Sequence, residues 1–161
     1  KEGSGKSQRR QTKCTQQPDV EWLMGDLSKN FSSYEFQCRC GCGRGKMSPS
    51  LIEQLQMARE ILGTSIDVES GIRCAGHNKK IGGVPGSAHV PADLNDNEGE
   101  VSHAVDLRVL SSSKRFALYD GARAAGISRI GIGRNFLHLD NDTRKPDGVA
   151  FDYYQGGRHV A

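Results

Sequence analysis

No apolar run in this sequence exceeds a few residues, so no segment reads as a membrane-spanning helix. Hydrophobic residues are scarce, at 35% of 161. That suits one domain with a small core and long polar loops. Periodicity among the glycines is also missing. Twenty of them are scattered along the chain, which excludes a collagen-like sequence and favours a turn-rich domain over a helical bundle. The first thirty residues lack the apolar stretch of a secretory leader, so none is expected within them. A basic face for duplex nucleic acid is missing too. The net charge is +3, but residues 1–13 hold five basic groups and one acid, and the rest of the chain is slightly acidic. No specific nucleic-acid partner is therefore expected of the folded body. Residues 1–18 read as a disordered basic tail and 19–161 as one domain.

Five cysteines are present: Cys14, Cys38, Cys40, Cys42 and Cys74. The odd count leaves at least one thiol unpaired in a monomer, the state expected here. Cys38–Cys42 is a C-x-C-x-C run rather than the C-x-x-C of common zinc ribbons. A disulfide to Cys74, a structural metal and free thiols all remain open.

Local patterns place the elements. Asp19–Gly25 reads as a short helical turn. Met47–Leu62 reads as a helix, with Ser48 as its cap, Pro49 in its first turn and Gly63 as its end. Leu51, Leu55, Ala58 and Leu62 form its apolar stripe. Ser65–Ser70 alternates as a strand, and Ala75–Ile81 is a short helix. His103–Val109 is a strand, Ser113–Ala125 a helix, and Ile130–Ile132 and Phe136–Asp140 are strands. The order predicts an α+β fold, a small antiparallel sheet flanked by helices.

Chemistry-bearing residues cluster in three segments: Ser70–Cys74, Gly82–His89 with His103–Arg108 beyond it, and Gly131–Asp140. Two histidines and one aspartate with an open fourth position make a plausible catalytic zinc set. Strand parity narrows the choice. Ala104, Asp106 and Arg108 share one face, as do His138 and Asp140, whereas His103 points away from Asp106. The set selected is His89, Asp106 and His138.

The ordered motifs resemble the zinc D,D-peptidases of the M15 group, especially their short phage-type members. The matching pieces are Ser70-Gly-Ile-Arg73, Gly82-Gly83, Ser87-Ala-His89, Ala104-Val-Asp106, and Gly131-Ile-Gly133 leading to His138-Leu-Asp140. Phe36–Gly43 and the following helix look like the family's entry segment. The resemblance covers roughly residues 30–155. It implies a fold shared with the hedgehog signalling domain and a Zn2+ cofactor held by His89, Asp106 and His138. The implied substrate is a peptidoglycan stem peptide containing D-amino acids, cleaved as a D,D-carboxypeptidase or an L-Ala–D-Glu endopeptidase. Asp140 would be the base, Arg73 would stabilise the oxyanion or bind a substrate carboxylate, and Ser87 would hold substrate backbone. Such a protein would serve in a phage virion, in lysis, or at a bacterial envelope.

Two departures are visible. His89 and Asp106 stand 17 residues apart, where the family usually has seven. The insert near 92–101 is acidic and reads as a solvated loop, with Asp96 as an alternative ligand and a second cation such as calcium as a further possibility. Asn135 occupies the position where many relatives carry an acidic base. A non-catalytic zinc-binding module of the same fold is therefore the alternative function.

Overall fold

The computed structural model describes residues 25–91 and 101–153. The basic tail with Cys14, the helical turn at Asp19–Gly25 apart from its last residue, and the insert from 92 to 100 with Asp96 lie outside the described residues.

Helix α1 spans Pro49–Leu62. Proline at its first position lacks only an N–H that has no helical partner there anyway. Gly63 ends the helix at φ 63°, and its N–H returns to the Arg59 and Glu60 carbonyls. The predicted side-chain cap is not made. Ser48 Oγ lies 2.9 Å from Ser50 Oγ, while the Ser48 N–H donates to the Ser102 carbonyl at 2.8 Å. The residue thus ties the helix start to the chain entering the sheet. Leu51, Ile52, Leu55 and Ala58 form the buried stripe.

Helix α2 covers Ala75–Lys80, and helix α3 covers Ser112–Ala124. Ser111 caps α3 by accepting from the Lys114 N–H at 3.2 Å. Helices α1 and α3 pack together, and a Cβ at Gly121 would sit only 3.0 Å from Leu62 Cγ. Glycine there permits the close approach.

Five strands form one sheet: β1 Val68–Ser70, β2 Ala104–Arg108, β3 Arg129–Ile132, β4 Phe136–Asp140 and β5 Val149–Asp152. Their spatial order is β1-β2-β4-β3-β5. The α+β class stands, but the sheet is mixed rather than wholly antiparallel: β5 lies parallel to β3. That fifth strand escaped the sequence reading because Val149-Ala-Phe-Asp152 shows no apolar–polar alternation and directly follows the turn sequence Pro146-Asp-Gly148.

Strand parity divides the sheet into two chemistries. Val105, Leu107, Leu137, Leu139 and Ile130 join the core that includes α1 and α3 residues. Asp106, His138 and Asp140 have the opposite parity. In register, Ser70 faces Asp106, Asp106 faces His138, and His138 faces Gly131, which faces Phe151. One row across the sheet therefore carries the polar residues. Among the described residues no helix is long and apolar enough to cross a membrane.

Candidate metal centre

The central strands β2 and β4 deliver Asp106 and His138 as directly opposed neighbours. The third member, His89, comes from the loop after α2. A turn there, with Val90 N–H donating to the Ser87 carbonyl at 3.0 Å, carries His89 inward until it is 1% exposed. Asp106 Oδ1 lies 3.1 Å from His89 Nε2 and 2.9 Å from His138 Nδ1, and the two ring nitrogens are 3.2 Å apart. The three donor atoms thus converge from separate elements. His103 does not join them: its Nδ1 lies 3.3 Å from Asn141 Oδ1.

Each imidazole is oriented from its far side. His89 Nδ1 donates to the Gly71 carbonyl at 2.6 Å, which leaves the Nε2 lone pair facing the centre. His138 Nε2 donates to Asp140 Oδ2 at 2.8 Å, which leaves Nδ1 facing the centre. With both rings neutral, two nitrogen lone pairs and a carboxylate oxygen point at one another, so the set calls for a positive charge between them, whether a proton or a metal ion. Two imidazoles plus a carboxylate suit zinc with one position open.

The electrostatics agree. Burial pushes the His89 pKa down, against the pull of Asp106. Burial would raise the Asp106 carboxyl, but His89 and His138 outweigh it and hold the group well below the usual carboxylate range. Burial would also lower His138, but its bonds to Asp106 and Asp140 prevail and raise it to about 9. The pocket favours positive charge between its donors. Tyr153, whose ring stands 6.0 Å from that of His138, is pushed up by burial and then by Asp106 and Asp140, so its phenol stays protonated.

The other candidates take distinct places. Arg73 pairs with Asp106 Oδ2, and its Nε donates to Ser70 Oγ at 3.1 Å. Ser87 borders a cleft of about 690 Å³, and its Oγ accepts from the His89 N–H at 3.4 Å. His138, Asp140, Arg129 and Tyr153 also line this cleft, together with segments 84–85, 145–146 and 148–151 and Ala88. Asp140 stands at the Nε2 edge of His138, opposite the edge that faces Asp106. Its Oδ2 also accepts from Arg129 Nε at 3.0 Å, and its Oδ1 from the Asp142 N–H at 3.3 Å. Asn135 is exposed, in the turn between β3 and β4.

Sequence reasoning missed Arg129, the Gly71 carbonyl and the ring wall of Phe151 and Tyr153. Arg129 is the register partner of Asp140, and its guanidinium lies 4.9 Å over the Phe151 ring. A charged residue opening an apolar strand was the available signal.

A buried His–Asp–His set on the polar face of a mixed α+β sheet is a candidate metal centre of the kind metal-dependent hydrolases use. Residues 29–140 match the family model described as Peptidase M15, more than half of the chain, and the protein belongs to that family of zinc metallopeptidases. No curated protein matches the chain significantly.

Proposed function

We propose that this protein hydrolyses peptidoglycan stem peptides containing D-amino acids, as a D,D-carboxypeptidase or an L-Ala–D-Glu endopeptidase. The observation that supports this reading best is the convergence of His89, Asp106 and His138, each imidazole held from its far edge so that its inner nitrogen faces the other donors. When bound by these three, zinc would lower the pKa of a water to about 7 and polarise the scissile carbonyl.

The chain's own residues do the rest. Gly71 and Asp140 hold the two rings against rotation. Arg73 keeps the Asp106 carboxylate aimed inward, and its remaining guanidinium N–H groups are assigned to the developing oxyanion or a substrate carboxylate. Ser87 borders the cleft as a contact for substrate backbone. Asp140, the base that the family resemblance implies, is assigned a positioning role instead. Its carboxylate meets the far edge of His138, so it acts through that ring by retaining the Nε2 proton.

The engagement of Asp140 by both His138 and Arg129, together with Asn135 in an exposed turn, favours one second reading: a zinc-binding module of this fold without turnover. Incubating zinc-loaded and chelator-stripped protein with purified peptidoglycan separates the two. Mass spectrometry should reveal loss of a terminal D-Ala or a new L-Ala carboxyl end, dependent on metal and absent in His138→Ala. Bound zinc with no product across several wall chemotypes would support the module.

A further inference from the structure

We propose that Cys38, Cys40, Cys42 and Cys74 form a second, structural zinc site, separate from the His–Asp–His centre. All four are free thiols, and their sulfurs lie within 4.8 Å of one another. Cys38 Sγ is 3.4 Å from Cys40 Sγ, and Cys40 Sγ is 3.6 Å from Cys74 Sγ. Those separations are too long for a disulfide bond. They suit a tetrahedral site, in which Zn–S bonds of about 2.3 Å place the sulfurs about 3.8 Å apart.

The convergence is built rather than incidental. In an extended strand, alternate residues are about 6.6 Å apart, so Cys38 and Cys42 would be separated by about 13 Å. Here the chain turns back. The Gly41 N–H donates to the Cys38 carbonyl at 3.1 Å, and Gly41 and Gly43 adopt φ of 78° and 77°. Glycine takes that left-handed conformation without a Cβ clash. The Cys38 N–H donates to the Arg44 carbonyl at 2.8 Å, closing the loop. Cys74 arrives from the far side of the sequence, at the start of α2.

Backbone N–H groups already point at two of the four sulfurs. Cys74 N–H donates to Cys38 Sγ at 3.4 Å, and His77 N–H donates to Cys74 Sγ at 3.3 Å. Four thiolates around Zn2+ leave two net negative charges, and Arg39, Arg44 and Lys46 flank the ligands in sequence. Cys40 and Cys42 are exposed, so metal has a route in.

Such a site would brace the catalytic centre from behind. Cys74 directly follows Arg73, whose guanidinium pairs with Asp106 and whose N–H donates to the His89 carbonyl at 2.9 Å. Two residues earlier, the Gly71 carbonyl orients the His89 ring. A zinc ion on Cys74 would therefore anchor the segment that aims two of the three catalytic donors.

The test uses the full chain carrying Cys14→Ser, which removes the one cysteine outside the cluster. Native mass spectrometry and metal analysis should find two zinc ions per chain, and one in the further variant His138→Ala. Cobalt loaded into that variant should produce the intense near-ultraviolet thiolate charge transfer of a tetrahedral all-sulfur site. All four thiols should resist alkylation until a chelator is added. Cys40→Ser with Cys42→Ser should abolish the cobalt band. If those variants do not fold, the stoichiometry, cobalt spectrum and alkylation of the cysteine-intact chain decide alone. A single zinc with four reactive thiols overturns the proposal. So does a mass deficit of two hydrogens, or no metal left in His138→Ala.

Discussion

The His–Asp–His centre and the cysteine cluster bring their donors together by opposite means. Asp106 and His138 are opposed by strand register across 32 residues of sequence, and His89 enters from a loop 17 residues before Asp106. All three are buried. Three of the four cysteines lie within five residues, on a loop folded by two glycines at positive φ, and two of them are exposed. The sheet-built centre has second partners behind each ring and a cleft beside it. The loop-built cluster offers four like donors, enough to close a tetrahedron. Rigid strands with an open position suit chemistry, whereas a saturated loop suits anchoring.

The largest expected effect separates the two regions outright. His138→Ala should lower peptidase activity by about 10²–10³-fold, on the scale of removing a group that stabilises transition-state charge. The cysteine cluster and the circular dichroism spectrum should be unchanged. Parallel loss of signal from the cysteine cluster would mean that the two regions fold as one unit.

Asp140→Asn sharpens the contrast within the buried centre. As a positioning residue, Asp140 should affect zinc affinity, and its removal should weaken binding by about 10–100-fold, read by competition with a chromophoric chelator. Activity should largely return at saturating zinc. Unchanged affinity with collapsed kcat would restore Asp140 to the role of base.

Glycines test how each region is built. A Cβ at Gly131, the register partner of His138, would sit 2.6 Å from the Tyr153 ring and 2.7 Å from the Phe151 ring. Gly131→Ala should cost about 1–3 kcal/mol in urea unfolding through overpacking. Gly41 has open space around it but a φ of 78°. Gly41→Ala should cost about 1 kcal/mol from backbone conformation alone and should loosen only the cysteine loop. Equal effects of both changes on activity would erase the distinction.

The smallest effect lies at the margin of the centre. Asp142 accepts from Arg144 at 2.7 Å through both carboxylate oxygens. Burial would raise its pKa, but the Arg144 bonds prevail and hold it below the ordinary value. A depressed carboxyl stabilises the fold above its unfolded pKa, and the contribution fades as pH falls through and below about 4. Asp142→Asn should therefore cost about 1 kcal/mol near neutrality, with the gap closing in acid, as urea midpoints at the two extremes would reveal. A gap that does not depend on pH would assign the effect to packing.

Much of this molecule was legible in its residues. Pro49 and Gly63 bracket α1, and the stripe of Leu51, Leu55 and Ala58 is its buried face. Parity alone placed Asp106 on one face of its strand and His138 with Asp140 on one face of theirs. The class of fold followed from the order of such elements. These are properties of nearest neighbours along the chain, governed by dihedral preference and by periods of 3.6 and 2.

Tertiary structure decided what depends on partners distant in sequence. The order β1-β2-β4-β3-β5 sets Asp106 against His138 and sends β5 parallel to β3. Which edge of His138 faces Asp140, and so whether that carboxylate meets water or a ring N–H, depends on the side-chain rotamer and on Arg129 from the neighbouring strand. The C-x-C-x-C run likewise left its cysteines uncommitted until the turn at Gly41 and the approach of Cys74 gathered four sulfurs. Residue type and local period determine what each segment can offer. Only packing across the sheet determines which offers meet.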